Sequence, residues 1–209
     1  MKTELEYRVS DALEVRAEGD GPKKIVGYAA VFETLSEPMF GFREKIQKGA
    51  FAASVPVDDI RALWNHDENF VLGRNRAGTL KLEEDDRGLR VEIQPPDSEW
   101  ARGLVASIQR GDVSQMSFAF RTLKDAWDET DPANIVRTLV QVKLFDVSPV
   151  TYPAYPTTSV GVRSAEQIMK DHAAERQADE AAKTKERERI AQEGKDRECD
   201  LNLISKELL

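Results

Sequence analysis

One cysteine stands in the whole chain, Cys199. A single thiol excludes an intramolecular disulfide and fits a reducing compartment. It lies in a highly charged C-terminal stretch, so a cysteine nucleophile would sit outside any folded core. Histidine is almost as scarce, with two in 209 residues. That scarcity argues against a metal site, which needs several His or carboxylate ligands together. No apolar run approaches the ~18 residues of a membrane span. The N-terminal stretch "MKTELEYRVS" has no apolar h-region, so no secretory leader is expected. A basic surface is missing too. The formal net charge of −8 argues against general nucleic-acid binding. Finally, the G-x-S-x-G elbow of the α/β-hydrolases is absent.

What is present is strand pattern. Leu5, Tyr7 and Val9, then Leu13 and Val15, alternate as one or two strands. "IVGYAAVF" from Ile25 is a short apolar run, and Gly27 inside it suggests a bulge or a close backbone approach. "REKIQKGAFAAS" offers a short helix, with Ile46, Ala50 and Phe51 at helical spacing. "IRALWNHD" reads as a strand with Ile60, Ala62, Trp64 and His66 on one face. "TLKLEEDDRGLRVEIQ" reads as a hairpin turning through its acidic stretch and Gly88. "PPDSEWARGLVASIQRGD" reads as a helix over about 98–110. Asp97 or Ser98 would cap it, Trp100, Leu104, Val105 and Ile108 form its apolar face, and Gly111 suits its C-terminal cap. "VSQMSFAF" and "RTLVQVKLFDVSPVTYPAY" are strands, and the polar excursion between them is a loop or hairpin. Many short strands with one clear helix indicate a β-rich α+β domain built as a barrel or sandwich.

From Ala165 to Leu209 the composition changes: 12 residues are acidic and 9 basic. The stretch favours helix, yet its apolar face is thin: Ile168, Met169, Ala174, Ala178, Ala181, Ile190. It reads as a solvated helix waiting for a partner, or as disordered, ending at Gly194. Beyond that, Leu201, Ile204 and Leu208 make a small docking stripe. The boundaries that follow are 1–163 for the β domain and 164–209 for the tail.

His66 is the one imidazole placed in the core pattern, since His172 falls in the tail. Serine chemistry needs a nucleophile, a base and a group that orients the base. Asp146, set among apolar neighbours in "VKLFDVSPV", is a candidate orienting carboxylate; the bland reading is a cap of the turn into Ser148-Pro149. Ser114, Ser117 and Ser148 are all candidate nucleophiles. Alternation favours Ser117, which faces away from Met116, Phe118 and Phe120, whereas Ser114 shares the Met116 face.

Six stretches occur together in order: "GYAAVF", "EKIQKGAF", "LWNHD", the "LGR" of Leu72–Arg74, "MSFAF" and "FDVSPVTYPAYP". In this order, from about Ile25 to Val162, they resemble the tailed-phage prohead (procapsid) maturation protease family, which is similar to the herpesvirus assembly protease. The resemblance implies a closed or partly closed antiparallel β-barrel with flanking helices. It implies a serine endopeptidase with His66 in the "NHD" motif as base, Ser117 in "MSF" as nucleophile and Asp146 as third member. The order His66, Ser117, Asp146 fits neither the chymotrypsin-like nor the α/β-hydrolase arrangement. Arg74 is a candidate for positioning an oxyanion hole. No cofactor is implied. The implied partners are the major capsid protein and its scaffold segment as substrate, and the chain itself through autoprocessing. Neither nucleic acid nor membrane is implied, and a homo-oligomer stays open. The implied location is the bacterial host cytoplasm at synthesis, then the procapsid interior. Two other readings remain: a non-catalytic assembly factor on the same fold, and a metal-dependent hydrolase built on "NHD".

Overall fold

The computed structural model describes residues 5–10, 13–16, 23–39, 41–152 and 159–207, with 13–16, 159–165 and 194–207 as backbone alone. The chain divides into two compact units, 1–164 and 165–209. Among the described residues ten strands lie in the first: β1 (Glu6–Ser10), β2 (Leu13–Arg16), β3 (Lys24–Val31), β4 (Arg43–Ile46), β5 (Arg61–Trp64), β6 (Asp67–Arg74), β7 (Leu80–Glu84), β8 (Gly88–Ile93), β9 (Gln115–Asp128) and β10 (Val136–Val150). Helix α1 (Glu99–Arg110) separates β8 from β9. The second unit contains most of α2 (Ser159–Glu207).

The strands form two sheets. One runs β1-β9-β10-β5-β6, with β4 also on β10; the other runs β2-β3-β8-β7. The class is therefore β-rich α+β, as composition and pattern indicate. No closed barrel is found among the described residues, and the first sheet is mixed rather than antiparallel. The reason lies in the length of β10. Its 15 residues pair antiparallel with β9 along one edge. Along the other edge it takes two short parallel partners, β4 against Val136–Leu139 and β5 against Asp146–Val147. Register shifts at Gln141 and between Leu144 and Asp146 bend the strand between them.

The β7–β8 hairpin and α1 stand where the periodicity places them. Gly88 opens β8 because a Cβ there would meet the Ala30 carbonyl oxygen at 2.0 Å. Gly111 caps α1 at φ 85°, and the helix buries Ala101, Leu104, Val105 and Ile108 against the sheets. Ser98 takes the N-cap backbone position without a side-chain cap bond. Phe118 and Phe120, on one face of β9, stack at 5.0 Å, and Phe51 meets Phe118 edge-on at 5.6 Å.

Within the strands, other expectations also need correction. The helix expected over "REKIQKGAFAAS" is instead strand β4 followed by turns. Gly49, at φ 90°, ends the extended run. The turns dock on β10, where Val142 N–H donates to the Ala50 carbonyl and Leu144 N–H to Ser54 Oγ. The face shared by Ile60, Ala62, Trp64 and His66 does not exist. β5 stops at Trp64, two register shifts disturb its alternation, and Asn65 and His66 both adopt positive φ. Of the two readings of Gly27, the bulge alone is displaced: it falls between Tyr28 and Ala30, while Gly27 pairs in register with Leu13 and Val91.

Helix α2 runs through Gly194 instead of ending there. Arg189 pairs along it with Glu186 and Glu193, and Ile190 is exposed. The stripe at Leu201, Ile204 and Leu208 lies outside the residues whose side chains are described.

Beneath β1 the first sheet holds a buried charge network. Arg137 on β10, 3 % exposed, donates to Glu6 of β1 at 2.7 Å, Glu44 of β4 at 3.0 Å and Asp125 of β9 at 2.7 Å. Arg8 of β1 adds bonds to Glu44 at 2.6 and 2.9 Å. Thr122 donates to Glu6 at 2.5 Å. Burial raises the Glu6 carboxyl. The Arg8 and Arg137 guanidiniums, with hydrogen bonds from Arg137 and Thr122, outweigh burial and hold it below its ordinary value.

The sign for stability follows from that direction. A depressed carboxyl contributes stability that is full above its unfolded value, near 4.5, and lost as pH falls through the lower folded value. Glu6→Gln is expected to cost about 3 kcal/mol at neutral pH, because it leaves buried Arg137 short of a partner. The penalty should shrink as pH falls below about 4.5. Urea unfolding of both proteins across pH 3–7 checks it; a penalty independent of pH would contradict the charge-network account.

Candidate active site

The site forms where β9, β10 and the turn after β5 meet. Ser117 on β9 lies opposite Ser148 on β10 and opposite Val9 on β1. Asp146 is two residues before Ser148, so the two share a strand face. Parallel pairing of β5 with Asp146–Val147 delivers the Asn65–His66 turn beside them.

That turn is strained. Asn65 and His66 sit at φ 55° and 58°, a region costing non-glycine residues about 1–2 kcal/mol each. Asn65 offsets the cost with a clamp on β10 and its extension. Its backbone N–H donates to the Pro149 carbonyl at 3.0 Å. Its side chain accepts from Thr151 N–H at 2.8 Å and donates to Thr151 Oγ1 at 3.3 Å.

The clamp aims the imidazole in two directions. His66 Nδ1 lies 2.6 Å from Asp146 Oδ1, and Nε2 lies 2.8 Å from Ser117 Oγ. A carboxylate only accepts, so Nδ1 carries a proton; in the neutral imidazole Nε2 then accepts from the Ser117 hydroxyl. Tyr7 of β1 sets its ring edge-on to His66 at 4.7 Å. Burial, then the negative charge of Asp146, raises the Tyr7 phenol. Ser117 and Asp146 are nearly closed to solvent, at 1 % and 8 % exposure. An open pocket of ≈ 280 Å³ meets the serine, lined by Asn65, His66, Ser117, Val150, Thr151 and Tyr152.

The structure thus brings together His66, Ser117 and Asp146. Ser148 is buried behind them, its Oγ 2.6 Å from Asp146 Oδ1. Ser114 is exposed and precedes β9. Arg74 is engaged elsewhere, in a two-pronged pair with Asp59 at 2.7 and 2.6 Å. Its hydrogen bonds hold the Asp59 carboxyl down to about 2. His172 lies on α2. Among the described residues no cluster of three or more His, Cys, Asp or Glu is arranged to hold a metal ion. Sequence reasoning missed Tyr7 and Asn65. Tyr7 belongs to a strand 59 residues away from His66, with no local signal of contact. Asn65 was at least visible as one of the residue types that tolerate positive φ.

Comparison with known proteins gives the chain a family. The caudovirus prohead serine protease family profile matches residues 11–172. The chain belongs to that family. As a prohead serine protease it falls among proteins of bacteriophage capsid maturation, and the family implies a serine peptidase. No curated protein matches the chain. A solved structure, that of the bacteriophage T4 capsid assembly protease gp21, aligns with 73 % of this chain and 100 % of its own. The identity is 11 % and the TM-score 0.49, so the assignment to the prohead proteases rests on the family profile alone.

The Asn65 clamp makes a measurable claim. Asn65→Ala loses both side-chain bonds and keeps the positive φ, and is expected to cost about 2 kcal/mol. Asn65→Gly loses the same bonds but tolerates φ 55°, so it should be about 1 kcal/mol less damaging. Urea denaturation of the pair gives the ranking; alanine equal to or better than glycine would contradict it.

Proposed function

We propose that this prohead protease is a serine endopeptidase of the Ser-His-acid type, with Ser117 as nucleophile, His66 as general base and Asp146 as the orienting carboxylate. The observation that carries the reading is the imidazole held between Asp146 at 2.6 Å and Ser117 at 2.8 Å. Ser117 Oγ attacks the scissile carbonyl while His66 Nε2 takes its proton. Asp146, accepting from Nδ1–H, fixes the tautomer and stabilises the imidazolium. Collapse of the tetrahedral intermediate breaks the C–N bond. The His66 proton passes to the departing amine, leaving an acyl ester on Ser117. Water, deprotonated by His66, then releases the new carboxylate.

The substrates in this reading are scaffold or capsid-protein segments within the procapsid, and the chain itself. Membership of the prohead family supports it, and the procapsid interior is then the place of action. Residues 1–163 are the protease domain in this reading. Residues 164–209 are a docking segment, which fits a long helix with a charged surface and little apolar face.

Co-expression with the capsid protein and its scaffold, followed on gels, tests the assignment. Ser117→Ala should stop processing, since loss of a nucleophile costs about 10⁶ in rate. Asp146→Asn should slow it by about 10⁴, through the wrong histidine tautomer. Unaltered processing by Ser117→Ala would favour an assembly factor without catalysis. Deleting residues 165–209 should leave cleavage of a supplied capsid substrate intact and reduce incorporation into procapsids; unchanged incorporation would remove the docking role.

A further inference from the structure

Ser148 invites a simple reading as a second nucleophile, because it lies directly across the β9–β10 ladder from Ser117. Its geometry gives a different answer. Among the described residues, two side chains hydrogen-bond to Asp146, and both meet the same oxygen. His66 Nδ1–H donates to Oδ1 at 2.6 Å, and Ser148 Oγ–H donates to Oδ1 at 2.6 Å. A carboxylate accepts only, so the Ser148 proton is committed to Asp146 and is not aimed at the base. Ser148 is 0 % exposed and is not among the residues lining the pocket on the Ser117 side.

The carboxylate has a reason to need this second bond. The register shift between Leu144 and Asp146 leaves Phe145 without a partner on β9, so Asp146 follows a break in the ladder. An aspartate torsion at χ2 is broad, and one hydrogen bond does not fix the carboxylate plane. Ser148, two residues on in the same unbroken stretch of register, lies on the same face and bonds Oδ1 from the paired part of the strand. We infer that Ser148 is a positioning residue that holds Asp146 Oδ1 facing His66 Nδ1, and so acts on the nucleophile through two intervening side chains. The inference rests on the Ser117–His66–Asp146 reading above.

A fluorophosphonate probe tests it without knowledge of the natural cleavage sequence. The active serine forms an O–P bond as the P–F bond breaks; fluoride leaves, and the hydroxyl proton passes to the base. The full-length chain is used throughout, and mass spectrometry locates the adduct. Labelling of the wild type at Ser117, abolished by Ser117→Ala, establishes the parent reading. Ser148→Ala should then slow the maximal inactivation rate by about 10- to 100-fold, the loss of a hydrogen bond to a charged group. The probe's half-saturating concentration should change by no more than about twofold, as binding is untouched. Ser148→Thr, which keeps the hydroxyl, should recover most of the rate. Ser148→Cys, a weaker donor of similar shape, should fall between and serves if alanine fails to fold. In an Asp146→Ala background the further change Ser148→Ala should matter by less than about twofold, because its partner is gone.

An undiminished rate in Ser148→Ala would overturn the inference. So would an equal loss in both Asp146 backgrounds, which would mark a purely structural effect. An adduct on Ser148 would make it the nucleophile. Absence of labelling in the wild type would overturn the parent reading, and this one with it.

Discussion

The antiparallel pairing of β9 with β10 is the constraint on which the rest depends. It sets Ser117 across from Ser148, and Asp146 across from Ala119. At the other end of the same ladder, Arg137 comes opposite Trp127 and reaches Asp125. Because β10 is longer than either of its parallel partners, its free edge holds β4 at one end and β5 at the other. One strand therefore organises two polar interiors among the described residues, the charge network and the Ser117 cluster.

These two interiors solve the problem of buried polarity differently. In the charge network every member has a charged partner on another strand, and the result is a fixed lattice of β1, β4, β9 and β10. Around Ser117 the groups form a line: Ser148, Asp146, His66, Ser117. Its far end meets a pocket instead of another side chain. A line with one open end can pass a proton along its last bond, whereas a closed lattice has none to give. β1 touches both interiors, with Glu6 and Arg8 in the lattice and the Tyr7 ring on His66.

Much of this was legible in the sequence, for identifiable reasons. The β7–β8 hairpin and α1 rest on local signals: period-two alternation around a turn, and period-3.6 spacing with a C-terminal glycine. The alternation of Met116, Phe118 and Phe120 separated Ser117 from Ser114. The ordered motifs singled out His66 and Asp146. Parallel pairing was not legible. β4 and β10 are almost a hundred residues apart, and nothing in "REKI" names its partner. Nor was the left-handed turn at Asn65 and His66, since the apolar alternation of "IRALW" runs up to it without a break. In the segment after β4, helical spacing of Ile46, Ala50 and Phe51 lost to a strand pairing and to Gly49. Local preference yielded there to tertiary contact.

The order of these parts along the chain has a consequence for synthesis. A ribosome makes the Tyr7 strand first and the Asp146 strand last among the elements of the cluster. Until β9 emerges, β1 lacks its partner in the ladder. Until β10 emerges, the turn carrying His66 has neither a carboxylate to face nor Pro149 and Thr151 to grip. On the proposed reading, a growing chain displays a serine and a histidine that do not yet know each other. In that reading the cluster closes only once β10 has been made. Topology of this kind makes the cluster wait for the pairing of β10 with β9 and β5.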